Sequence, residues 1–261
     1  MGTKGRGRRS LDGLKPQGAL LPLALAAGAG LLFLGRKQVG SAVSAFISEI
    51  SDLAQLPRAL IQYAPLLITA GQRYGVPSSL LAGIMWRESN AGVALTPPGP
   101  SGTGDWTPRK PTSLYFRYAD PSTGLPIDGL GWGRGLMQID YGVHNAWVTS
   151  HDWGDAETNI NKAASILADF FAYFRRSPGN VVTIDSWRLP AWQAKRPGLA
   201  AGPYTDPRPL SGIALTEAAL AAYNAGASGV LQAMAAGLPA STPTTGGEYA
   251  SWILSRVASW G

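Results

Sequence analysis

The chain has no cysteine and only two histidines among its 261 residues. Without cysteine it can form neither disulfides nor thiolate metal sites, which excludes a disulfide-dense secreted scaffold but leaves the cellular compartment open. His144 and His151 do not belong to an H-E-x-x-H pattern, so the sequence does not indicate a zinc protease. We therefore expect a protein that works without a metal or another cofactor.

The body of the chain also lacks net charge, although the whole chain has a formal charge of +6. The first 37 residues hold seven of the 22 lysines and arginines and one of the 16 acidic residues, which leaves 15 of each sign in the remainder. The high pI therefore describes the N-terminal tail. We do not expect the body to bind nucleic acid specifically.

One uncharged run, residues 19–35, lies between basic residues on both sides. It is slightly shorter than the roughly 20 apolar residues that a spanning helix needs, and no small-x-small cleavage site follows it. We interpret residues 1–18 as a basic tail, residues 19–35 as a transmembrane or signal-anchor segment that contacts lipid, and residues 36–56 as an amphipathic connector. A cleaved signal peptide and a buried or interfacial helix are the alternatives for residues 19–35. Five basic residues before the run and two directly after it favour an N-in, C-out orientation.

Apolar residues after this region recur at helical spacing, and no segment has a convincing period-two run. The pattern predicts a mainly α domain over residues 57–261. Its expected helices cover residues 57–74, 76–88, 158–176, 216–225 and 248–260, with Gly75 as the stop of the first. Two segments rich in proline, glycine and aromatics, residues 93–128 and 183–212, are interpreted either as binding loops or as packed structural insertions.

Glu88 lies at the end of the second expected helix, on the same apolar stripe as Leu81, Ile84 and Met85. A carboxylate in this position loses hydration, which disfavours its charged form and raises its pKa. A general acid needs a raised pKa if it must carry a proton near neutral pH. The alternative is a glutamate paired with an arginine at the margin of the core.

Two further motifs follow Glu88, which itself stands in the run E-S-N-A-G. They are G-W-G-R-G-L-M-Q-I-D over residues 131–140 and A-Y-N-A-G over residues 222–226. In this order the three motifs resemble those of the goose-type lysozyme and soluble lytic transglycosylase superfamily, over roughly residues 57–260. The resemblance implies a lysozyme-like helical fold and cleavage of the glycan strands of peptidoglycan.

The resemblance also implies roles for particular residues. Glu88 matches the catalytic acid, while Tyr223 and Asn224 match residues that face it across the cleft. A strand-like cleft wall would hold the sugar through its backbone and the Gln138 amide; it consists of Gly135, Leu136, Met137, Gln138 and Ile139. Asp140 and Asp128 are candidates for a second catalytic carboxylate, although Asp140 is also well suited to cap a helix. At least one aromatic residue in or beside the two glycine- and proline-rich insertions is expected to line the sugar cleft, the candidates being Trp106, Trp132, Trp187, Trp192 and Tyr204.

The expected function is hydrolysis of the β-1,4 bond between N-acetylmuramic acid and N-acetylglucosamine. One alternative is a lytic transglycosylase that leaves 1,6-anhydromuramic ends. Another is an inactive wall-binding or virion-assembly module, because a fold does not guarantee a function. Peptidoglycan is the expected partner, with virion or envelope proteins as further candidates. The expected location is a membrane, with the catalytic domain on its periplasmic or outer face, or a phage virion.

Overall fold

The computed structural model describes residues 56–176 and 181–260. Helices make up most of the secondary structure of these residues, so the predicted mainly α class is confirmed. The predicted tail and membrane segment, and all of the predicted connector except Leu56, lie outside the described residues. Among the residues that are described, no helix combines the length and the apolar character needed to cross a membrane.

The helices are named here in chain order. They are α1 (Arg58–Ile61), α2 (Ala64–Tyr74), α3 (Ser78–Ser89), α4 (Asn145–Ser150), α5 (Ala156–Arg175), α6 (Leu189–Lys195), α7 (Gly212–Ala225), α8 (Ala227–Ala235) and α9 (Tyr249–Ala258). Single 3-10 turns lie at Phe116–Tyr118 and Thr245–Gly247. Three antiparallel two-residue strands, β1 (Thr103–Gly104), β2 (Gly133–Arg134) and β3 (Ile139–Asp140), form a small sheet in the order β1-β2-β3.

Helix α5 forms the centre of the domain and packs against α2 and α7. Its predicted apolar stripe is buried, including Ile160, Leu167 and Phe174. The side chain of Asp155 accepts a hydrogen bond from the Thr158 backbone at 2.8 Å and so caps the start of the helix. The sequence periodicity therefore identified the helix that supports the site, to within two residues of its start.

Helix α9 packs against α3 with an unusually close approach. A Cβ at Gly83 of α3 would come within 2.6 Å of the Ile253 Cγ2 atom on α9, so only glycine fits at this crossing. The close approach brings the first residue of α9, Tyr249, to the last turn of α3, where Glu88 lies.

The first expected helix is divided into α1 and α2 in the structure, which corrects the prediction of one helix. Pro65 explains the division, because proline has no N–H to donate to the carbonyl four residues earlier and its ring clashes with that carbonyl. The predicted stop is correct, since Gly75 adopts a left-handed conformation with φ of 65°.

Both insertions are packed segments with internal contacts. In the first, the Arg109 backbone N–H donates to the Gly124 carbonyl at 2.7 Å, which closes a loop of intervening residues. The second contributes α6 and a small separate apolar cluster to the fold. That cluster contains Ile184, Trp192, Leu199, Ala233 and Ala236. The interpretation of the second segment as a packed structural insertion fits these contacts.

Candidate active site

Glu88 lies in the last turn of α3 and is partly buried. Its pKa is raised from 4.5 to about 7, chiefly because burial removes water from the carboxylate. A hydrogen bond from Tyr249 and the positive charge of Arg87 lower the pKa, and the negative charge of Asp105 raises it. Desolvation is the largest of these effects, as the sequence analysis predicted from the apolar stripe.

The hydroxyl of Tyr249 donates a hydrogen bond to Glu88 Oε1. Tyr249 is 2% exposed, and burial together with the nearby carboxylate raises its own pKa well above 10, so the phenol stays protonated. The last expected helix, residues 248–260, includes Tyr249, but the sequence analysis did not assign this residue to the site. The two residues are 161 positions apart, and no local pattern joins them.

The motif that contains Glu88 turns the chain sharply after the helix. Asn90 and Ala91 adopt left-handed conformations with φ of 50° and 53°. The hydroxyl of Ser89 donates to the Leu136 carbonyl at 2.6 Å and accepts from the Gly92 backbone at 3.0 Å. Ser89 is buried, so this contact joins the end of the Glu88 helix directly to the second motif.

Residues 135–138 of the second motif form a hairpin turn between β2 and β3, so of the predicted wall only Ile139 belongs to a strand. The expectation of a strand-like wall is therefore wrong for Gly135 to Gln138. Gly135 and Gln138 both have positive φ, 66° and 50°, which a continuous strand does not allow. Leu136 and Met137 are fully buried. Their side chains anchor the turn and do not face the cleft.

Asn159 of α5 fixes this turn from behind. Its Oδ1 atom accepts from the Met137 backbone at 2.8 Å, and its Nδ2 atom donates to the Arg134 carbonyl at 3.0 Å. A Cβ at Gly135 would come within 2.5 Å of the Asn159 amide nitrogen. The turn thus requires glycine at its first position and a buried amide on α5.

The side chain of Gln138 folds back over the small sheet. Its Nε2 atom donates to the Gly135 carbonyl at 2.8 Å. A Cβ at Gly104 or Gly133 would approach Gln138 Oε1 to 2.3 Å or 2.1 Å, so a larger residue at either position would displace the Gln138 amide. The predicted contact between Gln138 and a sugar would use the part of the amide that remains free at the cleft.

Tyr223 and Asn224, at the end of α7, reach the same region. The Tyr223 hydroxyl donates to the Met137 carbonyl at 2.8 Å. Tyr223 is close enough to Glu88 for the carboxylate charge to raise the pKa of its phenol, after the larger effect of burial. Asn224 Oδ1 accepts from the Thr245 backbone at 3.0 Å. Tyr249 forms the direct contact with Glu88, while Tyr223 supports the hairpin turn.

A cavity of about 480 Å³ lies beside these residues. The residues around it include Arg109, Tyr115, Gln138, Asp140, Tyr223 and Asn224. Glu88 is not one of the lining residues. Tyr223 lines the cavity and also lies near Glu88. The volume is within the range of ligand pockets, roughly 300–1,000 Å³. The second and third motifs therefore meet at one concave site, and Tyr223 links that site to Glu88.

Asp140 faces this cavity and has a raised pKa, chiefly because of burial. It does not cap a helix directly, since α4 begins at Asn145 with His144 as its N-cap. Its Oδ1 atom accepts from the Val143 backbone at 2.9 Å in the preceding turn. The residue is thus available to the cleft while its orientation is fixed.

Asp105 is a site residue that the sequence analysis missed. Its charge raises the pKa of both Glu88 and Asp140, so it lies near both. It has a left-handed backbone with φ of 50°, which is uncommon for a residue other than glycine. Arg109 Nη2 contacts Asp105 Oδ2 at 2.7 Å and Asp140 Oδ2 at 3.3 Å. The proline-rich insertion gives no periodic signal that could have identified this pair.

Asp128, the other predicted carboxylate, contacts buried Arg134. Arg134 Nη2 lies 3.0 Å from both oxygens of Asp128. The guanidinium of Arg134 is fully buried, and the rings of Tyr141 and Trp153 lie 4.7 Å and 5.5 Å from it. Because a buried cation needs a partner, these contacts give Asp128 a structural role.

The five aromatic residues proposed to line the cleft differ in how much of their side chains is exposed. Trp132 and Trp192 belong to the buried core, 0% and 4% exposed. The Tyr204 hydroxyl donates to the Ala200 carbonyl at 2.8 Å. Trp106 and Trp187 are 43% and 70% exposed, so the prediction of a ring that stacks on sugar now depends on them.

Comparison of the chain with models of known protein families and with curated proteins gives no match. The function is therefore inferred from the sequence motifs and from the geometry of the site. The site contains an acid whose pKa is raised to about 7, a carboxylate that lines the cavity, Asp140, and a cation, Arg109, that joins Asp140 to Asp105. This arrangement can donate a proton at one position and accept one at another.

Proposed function

We propose that this protein hydrolyses the glycan strands of peptidoglycan, at the β-1,4 bond between N-acetylmuramic acid and N-acetylglucosamine. The observation that carries the proposal is Glu88, whose pKa is raised to about 7 and whose carboxyl accepts a hydrogen bond from buried Tyr249. A glycosidic oxygen must receive a proton as its bond breaks, and an acid that stays protonated near neutral pH can supply it. The choice of peptidoglycan as substrate depends on the resemblance of the three motifs to those of the goose-type lysozyme and soluble lytic transglycosylase superfamily.

Asp140 is our candidate for the base, with Asp105 as the second. In an inverting hydrolase, a second carboxylate removes a proton from the water that attacks the anomeric carbon on the opposite face. Glu88 would give its proton to the leaving oxygen, and Asp140 would take one from the water, so the protons balance. Exposure of Asp140 to the cavity and its fixed orientation support this assignment.

Digestion of purified peptidoglycan, followed by mass spectrometry of the fragments, tests the activity. The wild type should release reducing muramic ends. Glu88→Gln should lower the rate by about a hundredfold or more while circular dichroism stays unchanged. The matched control is Glu157→Gln, an exposed glutamate on α5, which should retain the rate. If the folded wild type releases no fragments, the protein is not a glycosidase, and an inactive wall-binding module becomes the better interpretation.

The same assay tests the choice between hydrolysis and transglycosylation. Asp140→Asn should lower the rate strongly with little change in thermal stability, whereas Asp169→Asn, an exposed aspartate on α5, should leave it unchanged. Anhydromuramic ends as the dominant wild-type product would refute hydrolysis. They would indicate that a hydroxyl of the substrate itself attacks the anomeric carbon.

We also propose that residues 19–35 anchor the body to a membrane, on its periplasmic or outer face. The apolar composition of this run and its basic flanks support the proposal. The full-length protein should sediment with lipid vesicles, and deletion of the run should release it. Solubility of the full-length chain without detergent would contradict the anchor.

A further inference from the structure

Arg109 lines the cavity and connects Asp140, which also lines it, to Asp105. One atom of its guanidinium, Nη2, lies 2.7 Å from Asp105 Oδ2 and 3.3 Å from Asp140 Oδ2. Both aspartates are about one-third exposed, 38% and 33%, and Arg109 is 28% exposed. Two carboxylates so close to each other repel, and a shared cation between them offsets that repulsion.

The position of Arg109 is itself fixed by the fold. Its guanidinium lies over the ring of fully buried Trp132, 5.0 Å from the centroid, as in a cation–π contact. Its backbone N–H donates to the Gly124 carbonyl at 2.7 Å. The Nε atom is buried and has no hydrogen-bond partner among the described residues. A surface arginine that only improves solubility would not be held in this way.

We propose that Arg109 is a positioning residue for the proposed hydrolysis, because it contacts both Asp105 and Asp140 and so holds the two carboxylates side by side, with Asp140 at the cleft. One of the two can then accept the proton of the attacking water. This inference depends on the proposed function for its role in catalysis, but the geometry that it describes can be measured without substrate.

The groups around Asp140 determine the direction of the effect. Burial raises the pKa of Asp140 most strongly, and the charge of Asp105 also raises it. The Val143 and Gly142 backbone N–H groups and the charge of Arg109 lower it. Arg109 is the one full positive charge among these causes, so its removal should raise the pKa of Asp140.

His144, which lines the same cavity, adds no positive charge near neutral pH. Its pKa is lowered to about 4, first by burial and second by the charge of Lys162. Among the residues that line the cavity, Arg109 therefore carries the positive charge near neutral pH. Its two ion-pair partners are Asp105 and Asp140, so its charge acts on these carboxylates.

The experiment uses Arg109→Gln, which removes the charge, and Arg109→Lys, which keeps it on a different shape. Carbon-detected NMR titration of the aspartate carboxyls, without substrate, reports whether Asp140 gains its charge at higher pH in Arg109→Gln. The pH dependence of kcat/KM on peptidoglycan reports the same ionisation in catalysis. Arg117→Gln is the matched control, because Arg117 is exposed on the same insertion and its one described contact is with the ring of Tyr118.

In Arg109→Gln we expect the Asp140 titration and the acidic limb of kcat/KM to move together to higher pH. The rate on the acidic limb should fall roughly tenfold for each pH unit of that movement. Arg109→Lys should restore part of the change, and Arg117→Gln should match the wild type. An unchanged Asp140 titration in folded Arg109→Gln would overturn the inference, even if activity is lost at every pH. A wild type without activity would refute the proposed function alone, because the NMR titration still tests the arrangement of the carboxylates.

Discussion

The raised pKa of Glu88 predicts that Glu88→Gln stabilises the folded protein, by an amount that depends on pH. In the unfolded chain Glu88 ionises near its ordinary value of 4.5, whereas in the folded protein its pKa is about 7. Between these values the unfolded state binds fewer protons than the folded state, so the free energy of unfolding falls as pH rises. Glutamine has no charge and avoids this loss.

The size of the effect follows from the two pKa values. Each pH unit between them corresponds to about 1.4 kcal/mol, so ionised Glu88 should cost the folded state roughly 3 kcal/mol once the pH exceeds the folded pKa. For a domain of this size, 1 kcal/mol moves Tm by about 2–4 °C. As the pH rises from acidic to mildly alkaline, the Tm of Glu88→Gln should therefore increase by roughly 6–12 °C relative to the Tm of the wild type.

Thermal and urea unfolding from about pH 4 to about pH 8 would measure this gain. The difference near pH 4, where Glu88 is protonated in both states, serves as the reference for other effects of the substitution. Exposed Glu157→Gln should follow the wild type at every pH. A constant difference between Glu88→Gln and the wild type across this range would refute the argument that burial raises the pKa of Glu88.

Three further predictions test other contacts of the site. Tyr249→Phe removes the hydrogen bond that lowers the pKa of Glu88, so the alkaline limb of the pH–rate profile should move up by about one pH unit; an unmoved limb would contradict that role. Asn159→Ala leaves two buried backbone groups of the hairpin turn without partners and should lower the free energy of unfolding by roughly 2–4 kcal/mol in urea titrations. Asn161→Ala on the same helix, which removes one exposed hydrogen bond, should cost much less, and equal losses would refute the prediction. Trp106→Ala in the Glu88→Gln background should weaken binding of chitin oligomers about threefold to tenfold by calorimetry; unchanged affinity, or the same loss in Trp187→Ala, would argue against stacking at Trp106.

The parts of the site that the sequence predicted are those with a local pattern. The helical period placed Glu88 beside Met85 and Ile84 in the core, and this is enough to infer a desolvated carboxyl. The glycine at position 75 marked a helix end because it can adopt a left-handed conformation. Such inferences use residues within a few turns of one another, where spacing alone fixes direction.

The remaining parts depend on contacts between distant segments. The Tyr249 contact with Glu88 requires the close approach of two helices at Gly83, which no spacing in either helix reveals. Asp105 and Arg109 lie in a proline-rich segment whose path is set by turns and by the Gly124 contact. Asp128 was suggested by the family resemblance, but in the folded protein it pairs with Arg134.

The contact between the Arg109 backbone and Gly124 has a consequence for the evolution and engineering of this protein. It closes residues 110–123 into an excursion whose two ends meet at this contact. Lengthening such a loop costs little conformational entropy, about 0.6 kcal/mol for each doubling. The excursion carries Ser113 and Tyr115 to the wall of the cavity. Exchange of this segment would therefore remodel one wall of the cavity while Glu88, Asp105 and Arg109 stay where they are.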